Sequence, residues 1–263
     1  YKQVNIITHK PLFLLVYSTI MEIMRQTMEG YHLNKDYKIS SVFIAEINET
    51  VIIIDDFLHS LEPIYQFATE TAYFQPFGSD GTLYPGKRDE MPAPYYRAFE
   101  QLINELLEQG IITSGENNLY LHRCKLSLVT QNADELNTLQ RMPHIDSTDD
   151  KTFAAVHYLS AKEWGGTGIY KYRPDNIIKV TADNQNSVHK MIADTKKHSA
   201  THQGYLNETT ELFEKVVNIE AKVNRLVIYK SNLLHSAALF NNKKYNNDIN
   251  NSRLSISSFF RIN

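Results

Sequence analysis

The second half of this sequence consists of short β-type runs separated by polar turns. The runs are rich in β-branched and aromatic residues and lie at 119–130, 152–160, 168–172, 216–222, 225–230 and 253–262. Many short strands at such a spacing predict an all-β sandwich or barrel rather than alternating β–α–β units. We therefore expect a mainly β core, braced by whatever helices the first half supplies.

The first half supplies two β-type runs, between Ser41 and Asp55, and two helices. Apolar residues show helical spacing from Leu58 to Tyr73, and again from Pro94 to Glu108, with Gly110 as the stop. The second helix carries one apolar stripe, formed by Tyr95, Phe99, Leu102, Ile103, Leu106 and Leu107. Residues 76–94 are rich in Gly and Pro and predict a loop. The expected fold class is mainly β with flanking helices (α+β).

Length, charge and cysteine content restrict the class of protein. The chain has 263 residues, of which 42% are hydrophobic, and neither a repeat nor a Pro- or Gly-rich linker divides it. This composition favours a soluble globular protein with one large domain. The net charge of -3 argues against a generic nucleic-acid surface. Cys124 is the single cysteine, which excludes an intramolecular disulfide and a Cys-based zinc site and indicates a cytoplasmic setting.

One apolar segment, Pro11 to Met24, has to be weighed against a membrane span. Glu22 interrupts it, and it is shorter than the roughly 20 residues that a bilayer requires. Lys10 would suit a signal peptide, but no convincing small-residue cleavage site accompanies it. We expect an amphipathic helix packed on the body, within a helical lead-in over residues 1–40.

Three weak patterns follow one another along the second half of the chain. His144 and Asp146 lie two positions apart in PHID, so on an extended segment their side chains point the same way. His235 comes after the strand-like run RLVIYK, among apolar neighbours, where a single histidine is more often a hydrogen-bonded core residue. Arg253 and Ser255 share one face of the last β-type run, and a buried guanidinium needs an anionic partner. Each pattern alone is common by chance.

The order of these patterns resembles the signature of the Fe(II)/2-oxoglutarate-dependent dioxygenase superfamily, in its prolyl-hydroxylase-like form. The lead-in VIIIDDFLHS (51–60) and the stretch TFAAVHYLSAKEWGGTGIY (152–170) resemble the corresponding segments of these enzymes. The loop YPGKR (84–88) is similar to a bacterial branch of unassigned function. The resemblance implies a double-stranded β-helix (jelly roll) core over residues 41–263, with insertions at 175–213 and 241–252.

The resemblance also implies an iron centre and a co-substrate site. His144, Asp146 and His235 would bind Fe(II), while Arg253 and Ser255 would bind the distal carboxylate of 2-oxoglutarate. The substrate and O2 would complete the site, and ascorbate is a candidate stimulant. An intact Asp146 favours hydroxylation over halogenation, with release of succinate and CO2. The implied substrate is an amino acid, a peptidyl side chain or a small metabolite.

Several alternatives stay open. Arg261 competes as the co-substrate anchor, because Arg253 lies 18 positions beyond His235 (253 minus 235), a wider gap than relatives have. Ser127 or Lys125 stands on the strand from which relatives often present a tyrosine to the co-substrate. A catalytically inactive jelly-roll binding module and a cupin-type metal enzyme that does not use 2-oxoglutarate are the rival functions. We expect neither a nucleic-acid nor a membrane partner, and a homodimer stays open.

The remaining histidines and the single tryptophan have simpler interpretations. His157 lies on a strand face, from which it could line the site, but a core position is favoured. His189, His198 and His202 lie in the polar insertion, at spacings that suit no compact zinc motif. Trp164 precedes a Gly-Gly pair and is expected to be a packed turn residue rather than a substrate platform.

Overall fold

A computed structural model describes residues 30–113 and 118–263. The predicted amphipathic helix at Pro11 to Met24, and with it most of the 1–40 lead-in, lies outside these ranges. The strands of the described ranges are β1 (Lys38–Ile44), β2 (Glu49–Asp55), β3 (Gly86–Glu90), β4 (Leu119–Val129), β5 (Thr152–Tyr158), β6 (Gly166–Tyr172), β7 (Phe213–Ile219), β8 (Arg225–Lys230), β9 (His235–Ala238) and β10 (Leu254–Ile262). The helices are α1 (Glu62–Gln66), which continues as a π-helix (Phe67–Thr71), α2 (Ala93–Glu108) and α3 (Asn186–Lys197).

The strands form two antiparallel sheets. The larger has seven strands in the order β1-β2-β8-β5-β10-β4-β3, and the smaller has three in the order β7-β6-β9. Every pair of neighbouring strands is antiparallel. The predicted class, mainly β with flanking helices, is confirmed.

The seven-stranded sheet is buried on both faces, as strand β8 illustrates. Leu226 and Ile228 pack into the core that this sheet forms with α2. Val227 and Tyr229 point the other way, into a second core shared with β6 and β7 of the smaller sheet. Because successive side chains of a strand alternate between faces, a strand covered on both sides needs an unbroken apolar run. The order of layers is therefore helices, large sheet and small sheet.

Helix α2 covers one face of the large sheet with its predicted stripe. All six stripe residues are buried, and the helix begins with Pro94 in its first turn, where a missing N–H costs nothing. It ends before Gly110, whose φ of 68° is the left-handed conformation that terminates many helices. Among the described residues, no helix has both the length and the apolar character needed to cross a membrane.

Two predictions of local structure were wrong. Within the expected loop at 76–94, Gly86–Glu90 forms the edge strand β3, and Ala93 already begins α2. A Cβ on Gly86 would lie 1.9 Å from the backbone oxygen of Leu128, so glycine here marks close strand contact rather than a turn. The expected helix at 58–73 is shorter, because the N–H of Leu58 donates to the side-chain oxygen of Asn224 and helical structure begins only at Glu62.

The two predicted insertions differ in structure. The 175–213 insertion contains α3, whose Met191 packs with Tyr170 and Phe213 in a core of its own beside the small sheet. The 241–252 insertion has neither helix nor strand.

Candidate metal centre and adjoining cavities

The segment that contains the H-x-D pattern is held against β9 and the end of β8 by backbone hydrogen bonds. His144 and His235 form an isolated antiparallel bridge, and the N–H of Asp146 donates to the carbonyl of Ser231 at 2.9 Å. His144 and Asp146 therefore lie on an extended segment, and both side chains point toward His235. The backbone thus brings together the three residues that the sequence analysis proposed as metal ligands.

The three side chains offer a compact set of ligand atoms. His235 Nε2 lies 3.2 Å from one carboxylate oxygen of Asp146, and His144 Nε2 lies 3.7 Å from the other. One ligand atom from each residue falls within 4.8 Å of the others. A metal bonded at about 2.1 Å to donors at right angles would separate those donors by about 3 Å. The observed separations fit a metal ion after small side-chain adjustments.

The second nitrogen of His235 fixes its tautomer. Nδ1 of His235 donates to the carbonyl oxygen of Leu233 at 2.8 Å, so Nε2 is the nitrogen that faces Asp146 and is placed to bind a metal ion in exchange for its proton. The ring of His235 also packs on Tyr229, with ring centroids 4.8 Å apart. Hydrogen bonds of this kind orient metal-binding histidines and strengthen them as ligands.

Burial and mutual charge set the protonation of the triad. The side chains of His144, Asp146 and His235 keep 57%, 20% and 7% of their surface exposed. Partial desolvation in the cavity wall lowers the pKa of His144, and His235 adds to the shift. Burial would raise the pKa of Asp146, but the neighbouring His235 outweighs it and holds this pKa below its usual value. His144 is thus neutral and Asp146 ionised near pH 7. Burial alone would lower the pKa of His235, but Asp146 outweighs it and raises this pKa, so a metal ion competes with a proton at His235.

Two cavities meet at the triad. The large cavity, of about 580 Å³, has His144 and Asp146 in its wall, and the rest of its lining combines apolar residues such as Leu83 and Phe260 with polar ones. The small cavity, of about 90 Å³, contains all three triad residues and extends to Arg253. The candidate metal centre therefore lies where a small and a larger compartment join.

Arg253 contributes a buried cation to the small cavity. It precedes β10 directly, and only 3% of its surface is exposed. Nη1 donates to the hydroxyl oxygen of Ser255 at 3.1 Å, and the guanidinium carbon lies 5.6 Å from the centre of the Tyr158 ring. Its Nε has no hydrogen-bond partner, and it forms no ion pair within the part of the chain that the structure describes. A buried guanidinium in this state lacks the compensating anion that such a charge requires.

The other predicted anchors lie elsewhere. Arg261 is 41% exposed in its side chain and pairs with Asp149, with Nε 3.2 Å from the carboxylate. Lys125 pairs with Glu90 and lines a separate pocket. Ser127 is buried and accepts a hydrogen bond from Arg88. None of the three predicted alternatives lines the small cavity.

Sequence reasoning missed two residues that line both cavities, Tyr84 and Arg88. Arg88 pairs with Asp80 at 3.1 Å, and its guanidinium carbon lies 4.4 Å from the centre of the Tyr84 ring. The hydroxyl of Tyr84 is buried without a hydrogen-bond partner among the described residues. Both residues lie in the YPGKR segment. The signal that could have identified them was an aromatic residue and an arginine within a Gly- and Pro-rich stretch.

The remaining histidines stay away from the triad. His157 is fully buried between the hydroxyl of Tyr95 and the side-chain oxygen of Asn224, at 3.3 and 3.2 Å. His202 is also buried and packs edge-on against Phe213. Over the described ranges, the triad is the single group of three residues that could hold a metal ion. The polar insertion therefore offers no such site in those ranges.

Trp164 is a packed residue, as expected. Its ring lies 5.9 Å from that of Tyr245, and the ammonium of Lys243 lies 4.8 Å from its centre. It lines neither cavity at the triad.

Comparison with known proteins gives one family and two distant structural similarities. Residues 35–260 match a family of unknown function (DUF6445). No curated protein matches the sequence. AviO1 from Streptomyces viridochromogenes Tue57 is 12% identical, with a TM-score of 0.38 over 76% of this chain and 79% of AviO1. EvdMO1 is 13% identical, with a TM-score of 0.32 over 97% of this chain and 45% of EvdMO1. At these TM-scores neither structure supports an inference about activity.

Proposed function

The chain belongs to the family of unknown function (DUF6445), and for it we propose an Fe(II)- and 2-oxoglutarate-dependent oxygenase activity. Two histidines and one carboxylate on one side of an ion are the ligand set of non-haem iron oxygenases and leave positions open for other ligands. The two facing antiparallel sheets support a double-stranded β-helix as the core of such an enzyme.

The observation that carries the proposal is the unpaired Arg253 in the small cavity. An ordinary buried arginine has a carboxylate beside it, whereas this one has only the hydroxyl of Ser255. The buried hydroxyl of Tyr84 lines the same cavity and is also without a partner. A single carboxylate bound there would satisfy both groups with charge-assisted hydrogen bonds. 2-Oxoglutarate has that carboxylate at one end and a metal-chelating keto acid at the other.

The chain's own residues have separate tasks in this proposal. His144, Asp146 and His235 would hold the iron, and the hydrogen bond from Nδ1 of His235 to Leu233 directs its Nε2 toward the iron position. Arg253 and Tyr84 bind the distal carboxylate of the co-substrate, while Ser255 orients the guanidinium rather than lining the cavity. Together, iron and 2-oxoglutarate supply the oxidation, in which O2 oxidises a substrate C–H bond and 2-oxoglutarate becomes succinate and CO2. The large cavity remains for the substrate.

A visible charge-transfer band tests the proposal directly. Anaerobic addition of Fe(II) and 2-oxoglutarate to the full chain is expected to produce this weak band. Arg253→Gln should abolish the band at a 2-oxoglutarate concentration that just saturates the wild type. Arg261→Gln is the matched control, because this arginine is paired on the surface, and it should keep the band.

The outcomes separate the rival functions. A folded wild-type protein that binds metal without the band points to a cupin-type metal enzyme. One that binds neither metal nor 2-oxoglutarate points to a binding module, and either result overturns the proposal. With the band established, succinate release in air across amino acids, peptides and metabolites identifies the substrate, with and without ascorbate.

A further inference from the structure

Positively charged side chains outnumber negatively charged ones around the large cavity. Of its described lining residues, Asp146 is the single carboxylate, and it belongs to the candidate metal centre. Two arginines, Arg88 and Arg123, and the imidazole of His122 also line this cavity. This inference rests on the proposed function, in which the large cavity is the substrate compartment. The excess of cationic side chains in its walls favours a negatively charged ligand.

The two arginines are not equivalent. Arg88 already binds Asp80 and donates a hydrogen bond to Ser127. Arg123 has no carboxylate of the described chain within ion-pair distance, and its guanidinium carbon lies 5.2 Å from the centre of the Phe259 ring. An arginine held over an aromatic ring keeps its outer N–H groups free for an anion. Arg123 is therefore the cation that a ligand of the large cavity can use.

A β-bulge in β4 explains how neighbouring residues line one cavity. Phe259 of β10 pairs with Arg123, but Phe260 pairs with Leu121, which leaves His122 as an extra residue on β4. In a regular strand His122 and Arg123 would point to opposite faces. A bulge re-aims side chains and is frequent beside active sites. Here it places an imidazole and a guanidinium along the same wall.

The strand register gives the distance between this pair and the metal centre. Arg123 pairs with Phe259, Phe259 with Ala154, and Ala154 with Tyr229, whose ring contacts His235. Three strand spacings amount to about 14 Å. The lining of the large cavity also includes Met142 and Phe153, which give it apolar surface.

We propose that His122 and Arg123 form an oxyanion subsite at the end of the large cavity that is remote from His235. The substrate class that fits is an apolar body with a terminal carboxylate or phosphate, oxidised at a carbon about 10–14 Å from that anion, since three strand spacings separate Arg123 from Tyr229 beside His235. Arg123 binds the oxyanion through its free N–H groups, and His122 donates a further hydrogen bond. Phe259 holds the guanidinium in place and forms the wall beside it.

Three probes with one apolar body test this subsite. Octanoate, octyl phosphate and octan-1-ol are titrated calorimetrically into the full chain in the presence of Mn(II) and 2-oxoglutarate. The 2-oxoglutarate occupies Arg253, so that the probes cannot bind there. The titrations are then repeated without Mn(II) and without 2-oxoglutarate. In the wild type the anions should bind roughly tenfold more tightly than the alcohol, because charged hydrogen bonds exceed neutral ones. Whichever anion binds more tightly distinguishes a carboxylate from a phosphate substrate.

Variants assign the preference to a residue. Arg123→Gln should bring the three affinities to within about threefold, since the charged partner is lost. Arg123→Lys should retain most of the preference. Arg97→Gln removes an exposed arginine of α2 that lines neither cavity and should behave as the wild type.

Three results would overturn the subsite: equal or undetectable binding of all three probes, a preference that survives Arg123→Gln, or one lost in Arg253→Gln instead. The titration without metal makes this failure distinguishable from that of the oxygenase proposal, which the charge-transfer band reports separately.

Discussion

His144 and His235 exchange both of their backbone hydrogen bonds, at 2.9 Å in each direction, although 91 positions separate them in the chain (235 minus 144). Their imidazole centroids consequently lie 4.3 Å apart on the same side of this bridge. The ligand arrangement is therefore part of the backbone pairing and does not depend on an ion to bring the histidines together.

Because the triad is already assembled by backbone pairing, metal removal should leave the fold intact. Chelation with EDTA is expected to lower Tm by less than about 10 °C, the amount that loss of a bound ligand contributes through mass action. Far-UV circular dichroism should not change. Cooperative unfolding on chelation, as in a zinc finger, would contradict a preformed site.

Asp146→Asn should weaken metal binding at least tenfold, because the substitution replaces an anionic ligand with a neutral amide. Titration of Mn(II), followed by calorimetry, measures the change. Asp149→Asn is the control, since Asp149 lies on the same segment but pairs with Arg261 at the surface. Equal losses in both variants would indicate a general charge effect rather than ligation.

Arg253→Met should raise the stability of the protein in the absence of 2-oxoglutarate. The wild-type guanidinium is buried without an anion, and an apolar side chain of similar length removes the cost of desolvating it, by about 1–3 kcal/mol. 2-Oxoglutarate with Mn(II) should raise Tm of the wild type and have little effect on this variant. A strongly destabilised Arg253→Met protein would show that the guanidinium has a structural partner instead.

His157 should make stability depend on pH between about 3 and 6.5. Burial lowers the pKa of His157 to about 3, whereas the unfolded chain takes up this proton near 6.5. Within this window the unfolded state binds more protons, so stability falls as pH falls, by up to about 1.4 kcal/mol per pH unit. Urea unfolding at pH 7 and pH 5 measures the slope.

His157→Gln is expected to reduce this slope while lowering stability at pH 7, and the lowered pKa of His144 maintains the remainder. Phe57→Leu is the matched control, because Phe57 packs on the imidazole with ring centroids 5.1 Å apart but carries no proton. It should destabilise the core and keep the wild-type slope. The same slope in His157→Gln would remove this histidine as the cause.

Asn224 should be one of the least replaceable residues of the fold. Its φ of 64° is left-handed, and its side chain binds both the N–H and the carbonyl of Leu58, at 3.0 and 2.7 Å. Asn224→Ala should cost about 3 kcal/mol, from lost hydrogen bonds and backbone strain. Asn224→Gly should cost about 1 kcal/mol less, since glycine accepts this φ. Denaturant unfolding of the two variants separates the contributions.

Local patterns predicted those parts of the fold in which burial dominates. The α2 stripe and the unbroken apolar run of β8 reflect elements covered by other layers, and periodicity reports burial directly. Strand β3 was missed because an edge strand buries few side chains. Its Gly86 allows close contact with β4, but composition alone assigns a glycine in such a stretch to a turn. Strand β9 was missed because four residues carry too little periodicity.

The same contrast applies to the site. The spacing of His144 and Asp146, and their order before His235 and Arg253, were visible in the sequence. Tyr84, His122 and Arg123 were not distinguishable from ordinary surface or loop residues, since their positions at the cavities depend on cross-strand register and on one bulge.

The sequence by itself determined the mainly β class, the helix that covers the sheet, and the candidate metal ligands, because these follow from periodicity and from residue chemistry at short spacing. Only the tertiary structure showed that Arg253 is buried without an anionic partner among the described residues whereas Arg261 pairs with Asp149, because burial and pairing depend on distant segments. It also decided that His157 belongs to the core, where Tyr95 and Asn224 satisfy both of its nitrogens.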